Sequence, residues 1–192
     1  AMADLVLADS VDRDRLSFCA TPGGTGAIHH VLELVKLTES NPKIWFSDPT
    51  WGNHLTIAKH LNMPVGKYSY FNNETRAVDF ELMVSDLSKV SNGDIVVLLG
   101  CCHNPTGANL NKDQWNIIAD LLLEKEAIPF IDIAYQGFGD GIEEDAFGTR
   151  LLASKFPEMF IAASCSKNFG IYRERCGIVI TVSKNPDISS IT

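Results

Sequence analysis

The pattern of apolar residues alternates along the chain between the period of a strand and the period of a helix, and this alternation restricts the fold more than any other feature. Residues 94–99 (DIVVLL) and 127–133 (AIPFIDI) are apolar on both faces, which is typical of strands inside a parallel sheet. Between them, Asn111 followed by Gln114 predicts a capped helix that runs through Leu123. Strands that alternate with helices indicate βαβ crossovers. The sequence therefore predicts an α/β fold, a three-layer sandwich with a mainly parallel central sheet flanked by helices.

The remaining elements follow from the same reasoning, since helical spacing predicts helices and short apolar runs predict strands. The predicted helices are residues 28–35, 53–61, 79–90 and 146–155, and the predicted strands are residues 43–46, 65–71, 159–164 and 176–182. Ligands bind beyond the carboxyl ends of the strands in sheets of this kind. A functional site is therefore expected in the residues that directly follow the strands.

Charge and composition disfavour some classes of partner. Asp and Glu number 24 against 16 Lys and Arg, and the formal net charge of −8 argues against binding to nucleic acid or to an anionic membrane surface. The five cysteines are an odd number without the spacing of a disulfide framework, which indicates reduced thiols and a cytoplasmic protein. We find no apolar run in the sequence that is long enough to cross a bilayer.

Two ionisable side chains lie at the end of a predicted strand or shortly after one. Lys167 comes shortly after the strand at residues 159–164. A deprotonated lysine amine can form a Schiff base with an aldehyde cofactor, although a solvated loop lysine is the simpler alternative. Asp132 ends the apolar run IPFIDI, where a buried carboxylate needs a cationic partner. The pyridinium nitrogen of pyridoxal phosphate would be such a partner, and capping of the next helix is the alternative.

Three further side chains could contact an aromatic ring. Asn104, in the stretch HNPTG after the strand at residues 94–99, can donate from its amide to a phenolate oxygen, or it can belong to a plain turn. Trp51 follows the strand at residues 43–46 and offers a flat surface for a pyridine ring, with a core tryptophan as the alternative. His54 could hydrogen-bond to Asp132, or it could simply begin a helix.

An anion site is predicted where the glycine-rich stretch TPGGTG precedes a helix. Backbone N–H groups at a helix N-terminus attract anions, and the helix dipole adds to that attraction. Arg175 could supply the bidentate charge for a phosphate, or it could pair on the surface with Glu174. The run Cys101, Cys102 and His103 does not predict a metal site, because three adjacent residues cannot surround one tetrahedral ion.

Taken together, these stretches resemble the aspartate/aromatic aminotransferase group of fold-type-I pyridoxal-phosphate enzymes. The matching stretches are TPGGTGA, DPTWGNH, CCHNPTG, DIAYQGF, SCSKNFG and RERCG, which occur in the order of that group and span residues 21–177. A histidine that this group often has four residues before His103 is Leu99 here. This departure implies a smaller polar network behind Asp132.

The resemblance implies a role for each matching residue. Lys167 would form the Schiff base with pyridoxal phosphate and then move the proton of the substrate Cα. Asp132 would pair with the pyridine nitrogen, with His54 behind it, and Trp51 would stack on the ring. Tyr135 and Asn104 would donate to the ring oxygen, and the phosphate-binding residues would be Gly23, Gly24, Thr25, Ser164, Ser166 and Arg175.

The resemblance also implies an activity and a domain organisation. The activity would be reversible transfer of an amino group from an L-amino acid, of the aspartate or aromatic type, to a 2-oxo acid in a cytoplasmic homodimer. Residues 1–20 would be a lead-in segment, residues 21–183 the pyridoxal-phosphate-binding large domain, and residues 184–192 the start of a link to a small domain outside this chain.

The arginines that hold the substrate carboxylate would also lie outside the chain, so we expect a fragment that is incomplete for turnover by itself. The alternatives are a pyridoxal-phosphate-dependent lyase on the same scaffold and a non-catalytic dimerisation fragment.

Overall fold

The computed structural model describes residues 2–37 and 41–184, so the predicted link at residues 184–192 lies outside the described residues except for its first position. The helices are α1 (Met2–Leu7), α2 (Gly23–Lys36), α3 (Gly52–His60), α4 (Phe80–Leu87), α5 (Lys112–Glu124) and α6 (Phe147–Lys155). None of the helices in these two ranges is long and apolar enough to cross a membrane. The strands are β1 (Leu16–Pro22), β2 (Ile44–Asp48), β3 (Val65–Ser69), β4 (Phe71–Asn72), β5 (Ala77–Val78), β6 (Ile95–Leu99), β7 (Ile128–Ile133), β8 (Met159–Ser164) and β9 (Cys176–Val182).

The main sheet has seven strands in the order β1-β9-β8-β7-β6-β2-β3. Strands β3, β2, β6, β7 and β8 pair with one another in parallel. Strand β9 runs antiparallel to both of its neighbours, β8 and β1. Strands β4 and β5 form a separate two-stranded ribbon. One reversed strand in a sheet of seven confirms the predicted mainly parallel sheet.

Helices cover both faces of this sheet because the central strands are apolar on both sides. In β6, Ile95 and Val97 pack into the cluster formed with α2 and α3. The alternating residues Val96 and Leu98 pack into the opposite cluster, formed with α1, α4, α5 and α6. Full burial of each such side chain contributes about 1.5–3 kcal/mol. The predicted three-layer α/β sandwich is therefore confirmed.

Local capping sets the start of two predicted helices. Asn111 Oδ1 accepts a hydrogen bond from Gln114 N at 2.9 Å, and Gln114 Oε1 accepts one from Asn111 N at 2.9 Å. This reciprocal pair is the predicted capping box of α5. Asp79 accepts a bond from Leu82 N, so the helix predicted for residues 79–90 begins after its cap and ends at Leu87.

Two elements in the lead-in segment, α1 and most of β1, have no counterpart among the predicted elements. Strand β1 lies at the edge of the sheet, and its sequence LSFCATP does not alternate between apolar and polar residues as a half-buried strand would. Its pairing with β9, from Leu16 opposite Val182 to Pro22 opposite Cys176, determines its position. Helix α1 has six residues, too few for a periodic pattern, although it buries Val6 and Leu7.

The contact between α5 and α6 leads to a prediction about stability. A Cβ added at Gly148 of α6 would lie 2.3 Å from Cε2 of the buried Trp115 indole. We expect Gly148→Ala to lower the free energy of unfolding by about 1–3 kcal/mol in a urea titration, because overpacking outweighs the better helix propensity of alanine.

The matched control is Gly52→Ala at the start of α3, where an added Cβ would meet no atom within 4 Å. This control should leave the free energy of unfolding unchanged or raise it. Equal losses in the two variants would show that the Trp115 contact is not the cause.

Candidate functional site

A cavity of about 210 Å³ opens at the carboxyl ends of the parallel strands, where the residues after β6, β7 and β8 approach the N-terminus of α2. Ten of the twelve predicted site residues line it. These ten are Gly24, Thr25, Trp51, Asn104, Asp132, Tyr135, Ser164, Ser166, Lys167 and Arg175. The other two lie beside it, since Gly23 adjoins Arg175 and His54 is hydrogen-bonded to Asp132.

A hydrogen-bonded chain positions the carboxylate at the end of β7. His54 Nε2 lies 3.0 Å from Asp132 Oδ2, and His54 Nδ1 lies 2.8 Å from Thr50 Oγ1. The histidine side chain is fully buried, and the Asp132 side chain is 10% exposed. The His54 ring is also stacked on Phe46, with 5.5 Å between the ring centroids. The histidine can therefore hold Asp132 in one orientation at the wall of the cavity.

The predicted amine and the predicted phenol are neighbours. Lys167 Nζ lies 4.8 Å from the centroid of the Tyr135 ring. Burial raises the pKa of Tyr135, and the nearby Asp132 carboxylate raises it further. The phenol therefore remains protonated at neutral pH and can donate a hydrogen bond into the cavity. Lys167 itself is held in a turn, because its carbonyl accepts a hydrogen bond from Gly170 N at 3.1 Å.

Arginine and serine donors gather on the side of the cavity next to α2. Arg175 Nη1 lies 3.4 Å from Ser166 Oγ and donates to the Tyr172 carbonyl at 3.1 Å. Ser166 N donates to Ser164 Oγ at 3.2 Å, and both serines are buried. One fixed cation and two buried hydroxyls beside a helix N-terminus form a favourable environment for an anion.

Close packing in this region requires glycine at two positions. Gly23 has a φ of +74°, and a Cβ there would lie 2.4 Å from Arg175 Nη2. A Cβ at Gly177 would lie 2.4 Å from the backbone carbonyl carbon of Gly23. Side chains at these positions would displace the guanidinium or the first residue of α2. Gly23 and Gly177 are thus explained by the close approach of Arg175 and β9 to the start of α2.

The donor set fits a flat aromatic ring that carries a phosphate and a basic nitrogen. Arg175, Ser164 and Ser166 can bind a phosphate, and Asp132 can pair with a protonated ring nitrogen. Trp51 lines the same cavity and meets the His54 ring edge-on, with 5.4 Å between the ring centroids. Lys167 supplies a primary amine. Pyridoxal phosphate needs each of these groups.

The cavity also includes residues that the sequence did not single out for it. Tyr172 and Cys101 line its wall, together with Leu99, which stands where the related group often has histidine. Cys101 belongs to the run Cys101, Cys102 and His103, which suggested only a metal site and not a place in this cavity. Tyr172 lies in a loop without a periodic pattern, so no sequence signal indicated its position.

The side chain of His103 is held in place by structural contacts. Its Nε2 lies 2.9 Å from Ser47 Oγ and its Nδ1 lies 2.9 Å from Thr106 Oγ1. Its ring stacks on Tyr70 with 3.8 Å between the ring centroids. Burial, reinforced by the nearby His54, lowers the pKa of His103 to about 4. The ring is therefore neutral at pH 7 and bridges β2 to the turn that holds Asn104.

Within the described ranges, the ligand-type atoms of Cys101, Cys102 and Asp145 lie within 4.8 Å of one another. The Asp145 carboxylate already accepts hydrogen bonds from the backbone N–H groups of Gly137 and Gly139, and from that of Asp140. These bonds explain the buried carboxylate as an anchor for the loop after β7.

Comparisons with known proteins agree on one family. The sequence model described as aminotransferase class I and II matches residues 1–190. The aromatic-amino-acid aminotransferase of Paracoccus denitrificans is 54% identical over 182 residues, which are 95% of this chain and 46% of that protein. The aspartate aminotransferase of Haemophilus influenzae is 42% identical over 168 residues, which are 88% of this chain and 42% of that protein.

A solved structure extends this similarity to three dimensions. It is the crystal structure of an aromatic-amino-acid aminotransferase from Burkholderia pseudomallei covalently bound to pyridoxal phosphate. It is 35% identical with a TM-score of 0.95, and the match covers 99% of this chain and 48% of that one. The chain spans about half the length of the curated relatives it matches.

Proposed function

The chain belongs to the class I and II aminotransferase family, and from this membership we propose that its full-length parent is a pyridoxal-phosphate-dependent aminotransferase. The reaction would transfer an amino group from an L-amino acid, of the aspartate or aromatic type, to a 2-oxo acid. The observation that carries the proposal is a cavity lined together by the amine of Lys167, the carboxylate of Asp132 and the guanidinium of Arg175.

Lys167 would hold the cofactor and then transfer the proton of the substrate Cα. When bound, pyridoxal phosphate supplies an aldehyde that reacts with amines and a pyridinium ring that accepts electron density from the substrate Cα. Lys167 Nζ is a nucleophile in its deprotonated form, so it is the group that would hold the cofactor covalently. As a free amine it could then act as the general acid and base at the substrate Cα.

Asp132 would keep a ring nitrogen of the cofactor protonated. Its carboxylate is almost completely buried, and a cation paired with it there would be stabilised strongly. His54 and Thr50 would keep the carboxylate in place, because their hydrogen bonds leave the histidine ring little freedom to turn. His54 acts through Asp132, so we regard it as a positioning residue.

The other predicted residues would bind and orient the cofactor. Arg175, Ser164 and Ser166, with the N–H groups at the start of α2, would bind its phosphate. Tyr135 and Asn104 would donate hydrogen bonds to its ring oxygen, and the protonated state of the Tyr135 phenol supports that role. Trp51 would cover one face of the ring. Gly23, Gly24 and Thr25, the first three residues of α2, would complete the phosphate-binding segment.

We also propose the organisation of the parent protein. Residues 21–183 would form its cofactor-binding domain, preceded by a lead-in at residues 1–20 and followed by a link at residues 184–192. The parent would be a cytoplasmic homodimer that does not bind nucleic acid or a membrane, in agreement with the net charge of −8. Since the chain covers about half of its relatives, we expect it to bind the cofactor weakly when isolated and to turn over poorly or not at all.

Product analysis of the full-length parent tests the proposal. The protein is incubated with pyridoxal phosphate, 2-oxoglutarate and either L-aspartate or L-tyrosine, and we expect glutamate to form in proportion to the amino acid consumed. Ammonia and pyruvate without glutamate would indicate the lyase alternative, and no product would indicate a non-catalytic fragment. Robust turnover by the purified 192-residue chain would contradict the expected incompleteness of the isolated domain.

A further inference from the structure

Two cysteines lie opposite each other in the strand pair that carries part of the candidate site. In the antiparallel pair of β8 and β9, Ser164 is opposite Gly177, so Cys165 and Cys176 are the next two residues along the ladder. Cys165 N donates a hydrogen bond to Cys176 O at 3.1 Å, as expected for directly opposite residues. Hydrogen-bonded antiparallel pairs have Cα atoms about 5.5 Å apart. A disulfide requires a Cα separation of about 4.4–6.8 Å.

Both side chains lie on the face of the sheet that is covered by α1. Neighbouring residues of a strand alternate between faces, so Cys165 points away from the face of Ser164. Cys165 Sγ lies 3.2 Å from Met2 Sδ of α1, which agrees with this direction. Directly opposite residues share a face, so Cys176 lies on the same side. Neither cysteine is in a disulfide, Cys165 is buried and Cys176 is exposed.

We propose that Cys165 and Cys176 form a thiol modification site, which a low-molecular-weight disulfide of the glutathione class converts into an intramolecular disulfide. The proposal rests on the strand register, the shared face and the exposure of Cys176, and it does not depend on the proposed transamination.

The exposure of the two thiols sets the order of the reaction. The Cys176 thiolate would attack one sulfur of oxidised glutathione, forming a mixed disulfide and releasing one glutathione. Burial raises the pKa of the Cys165 thiol, and the neighbouring Cys176 raises it further, so Cys165 is the slower nucleophile. The Cys165 thiolate would then attack the Cys176 sulfur, releasing the second glutathione. Two protein thiols are oxidised, one glutathione disulfide is reduced, and the two protons pass to the glutathione thiols.

The bond would connect the two ends of the loop that supplies the cavity. Ser166, Lys167 and Arg175 all lie between the two cysteines. Oxidation would therefore tie the strand that leads to the amine to the strand that follows the guanidinium. The sulfur atoms would lie behind the cavity, on the face opposite Ser164, so the bond would not occupy the cavity itself.

Peptide mapping tests the proposal directly. The purified chain is incubated with oxidised glutathione at about pH 8.5, near the ordinary cysteine pKa, then alkylated without reduction and digested with trypsin. Cleavage falls after Lys155, Lys167, Arg175 and Lys184, so residues 156–167 and residues 176–184 become separate peptides. We expect these two peptides to be joined with the loss of two hydrogens. Neither Cys165 nor Cys176 should be recovered in alkylated form.

Two variants serve as controls. Cys165→Ser should keep glutathione on Cys176 and give no joined peptides. Cys19→Ser should leave the cross-link unchanged, because Cys19 is also an exposed strand cysteine but lies opposite Val179. Stable glutathione on Cys176 in the unaltered chain with no joined peptides would overturn the proposal. Loss of two thiols at Cys101 and Cys102, with the two peptides still separate, would overturn it as well.

Discussion

The substitution Lys167→Ala is expected to abolish covalent capture of pyridoxal phosphate. Lys167 is the lysine that lines the cavity, and its Nζ lies over the Tyr135 ring. With the unaltered chain, saturating cofactor and borohydride should fix the cofactor on Lys167, block tryptic cleavage there and give a labelled peptide of residues 156–173. The variant should give no label in this peptide. In the full-length parent, turnover should fall by about 10²- to 10⁴-fold or more, because a general acid and base is also lost.

Lys155→Ala is the matched control. Lys155 lies at the end of α6, outside the cavity. Its Nζ pairs with Asp120 Oδ1 at 2.6 Å on the surface. Its loss should leave the labelling of Lys167 unchanged, now in a peptide of residues 151–173 because the cleavage after Lys155 is also lost. If the Lys167→Ala chain retained full labelling at another residue and the parent retained its turnover, the assignment of the cofactor lysine would be wrong.

Asp132→Asn is expected to lower the activity of the parent without lowering the stability of the fold. The amide cannot hold a positive charge on a ring nitrogen, and removal of one partner of a buried charge pair costs about 3–5 kcal/mol. The transamination rate of the parent should therefore fall by about 10²- to 10⁴-fold. Without cofactor the carboxyl group is hydrogen-bonded to His54 and almost completely buried. Its replacement by a neutral amide should leave the free energy of unfolding of the cofactor-free protein equal or higher.

Two measurements decide whether Asp132 acts on the cofactor or stabilises the fold. They are the initial rate of the parent and the urea midpoint of the cofactor-free protein. A loss of rate at constant midpoint indicates that Asp132 acts on the cofactor. Parallel losses of rate and midpoint would show that Asp132 is a structural residue instead. Asp120→Asn removes the same charge from the surface of α5 and should change neither quantity.

The central part of the fold could be predicted from the sequence because its signals are local. Strands β6 and β7 are apolar on both faces, and the start of α5 is set by the reciprocal pair of Asn111 and Gln114. The positions of β1 and α1 could not be predicted in this way. Their contacts are with residues more than a hundred positions away, as in the pairing of Leu16 with Val182.

Some residues of the candidate site could likewise be predicted from the sequence, and others could not. Lys167 and Asp132 could be proposed because each directly follows or ends an apolar strand. Tyr172 could not, because its place at the cavity depends on the path of the loop between β8 and β9. The glycine requirement at position 177 was also hidden, since it arises from the backbone of Gly23, far away in the sequence.

The pairing of β1 with β9 has a consequence for synthesis on the ribosome. The partner residues of β1 lie at residues 176–182, more than 150 positions later in the chain, so β1 is made long before the strand with which it pairs. Contacts between such distant residues form slowly. During translation, β1 must therefore remain unpaired until nearly all of the described chain has emerged. The exposed middle of β1 is apolar, with Phe18 at its start, so the unpaired strand is open to aggregation until β9 has been made.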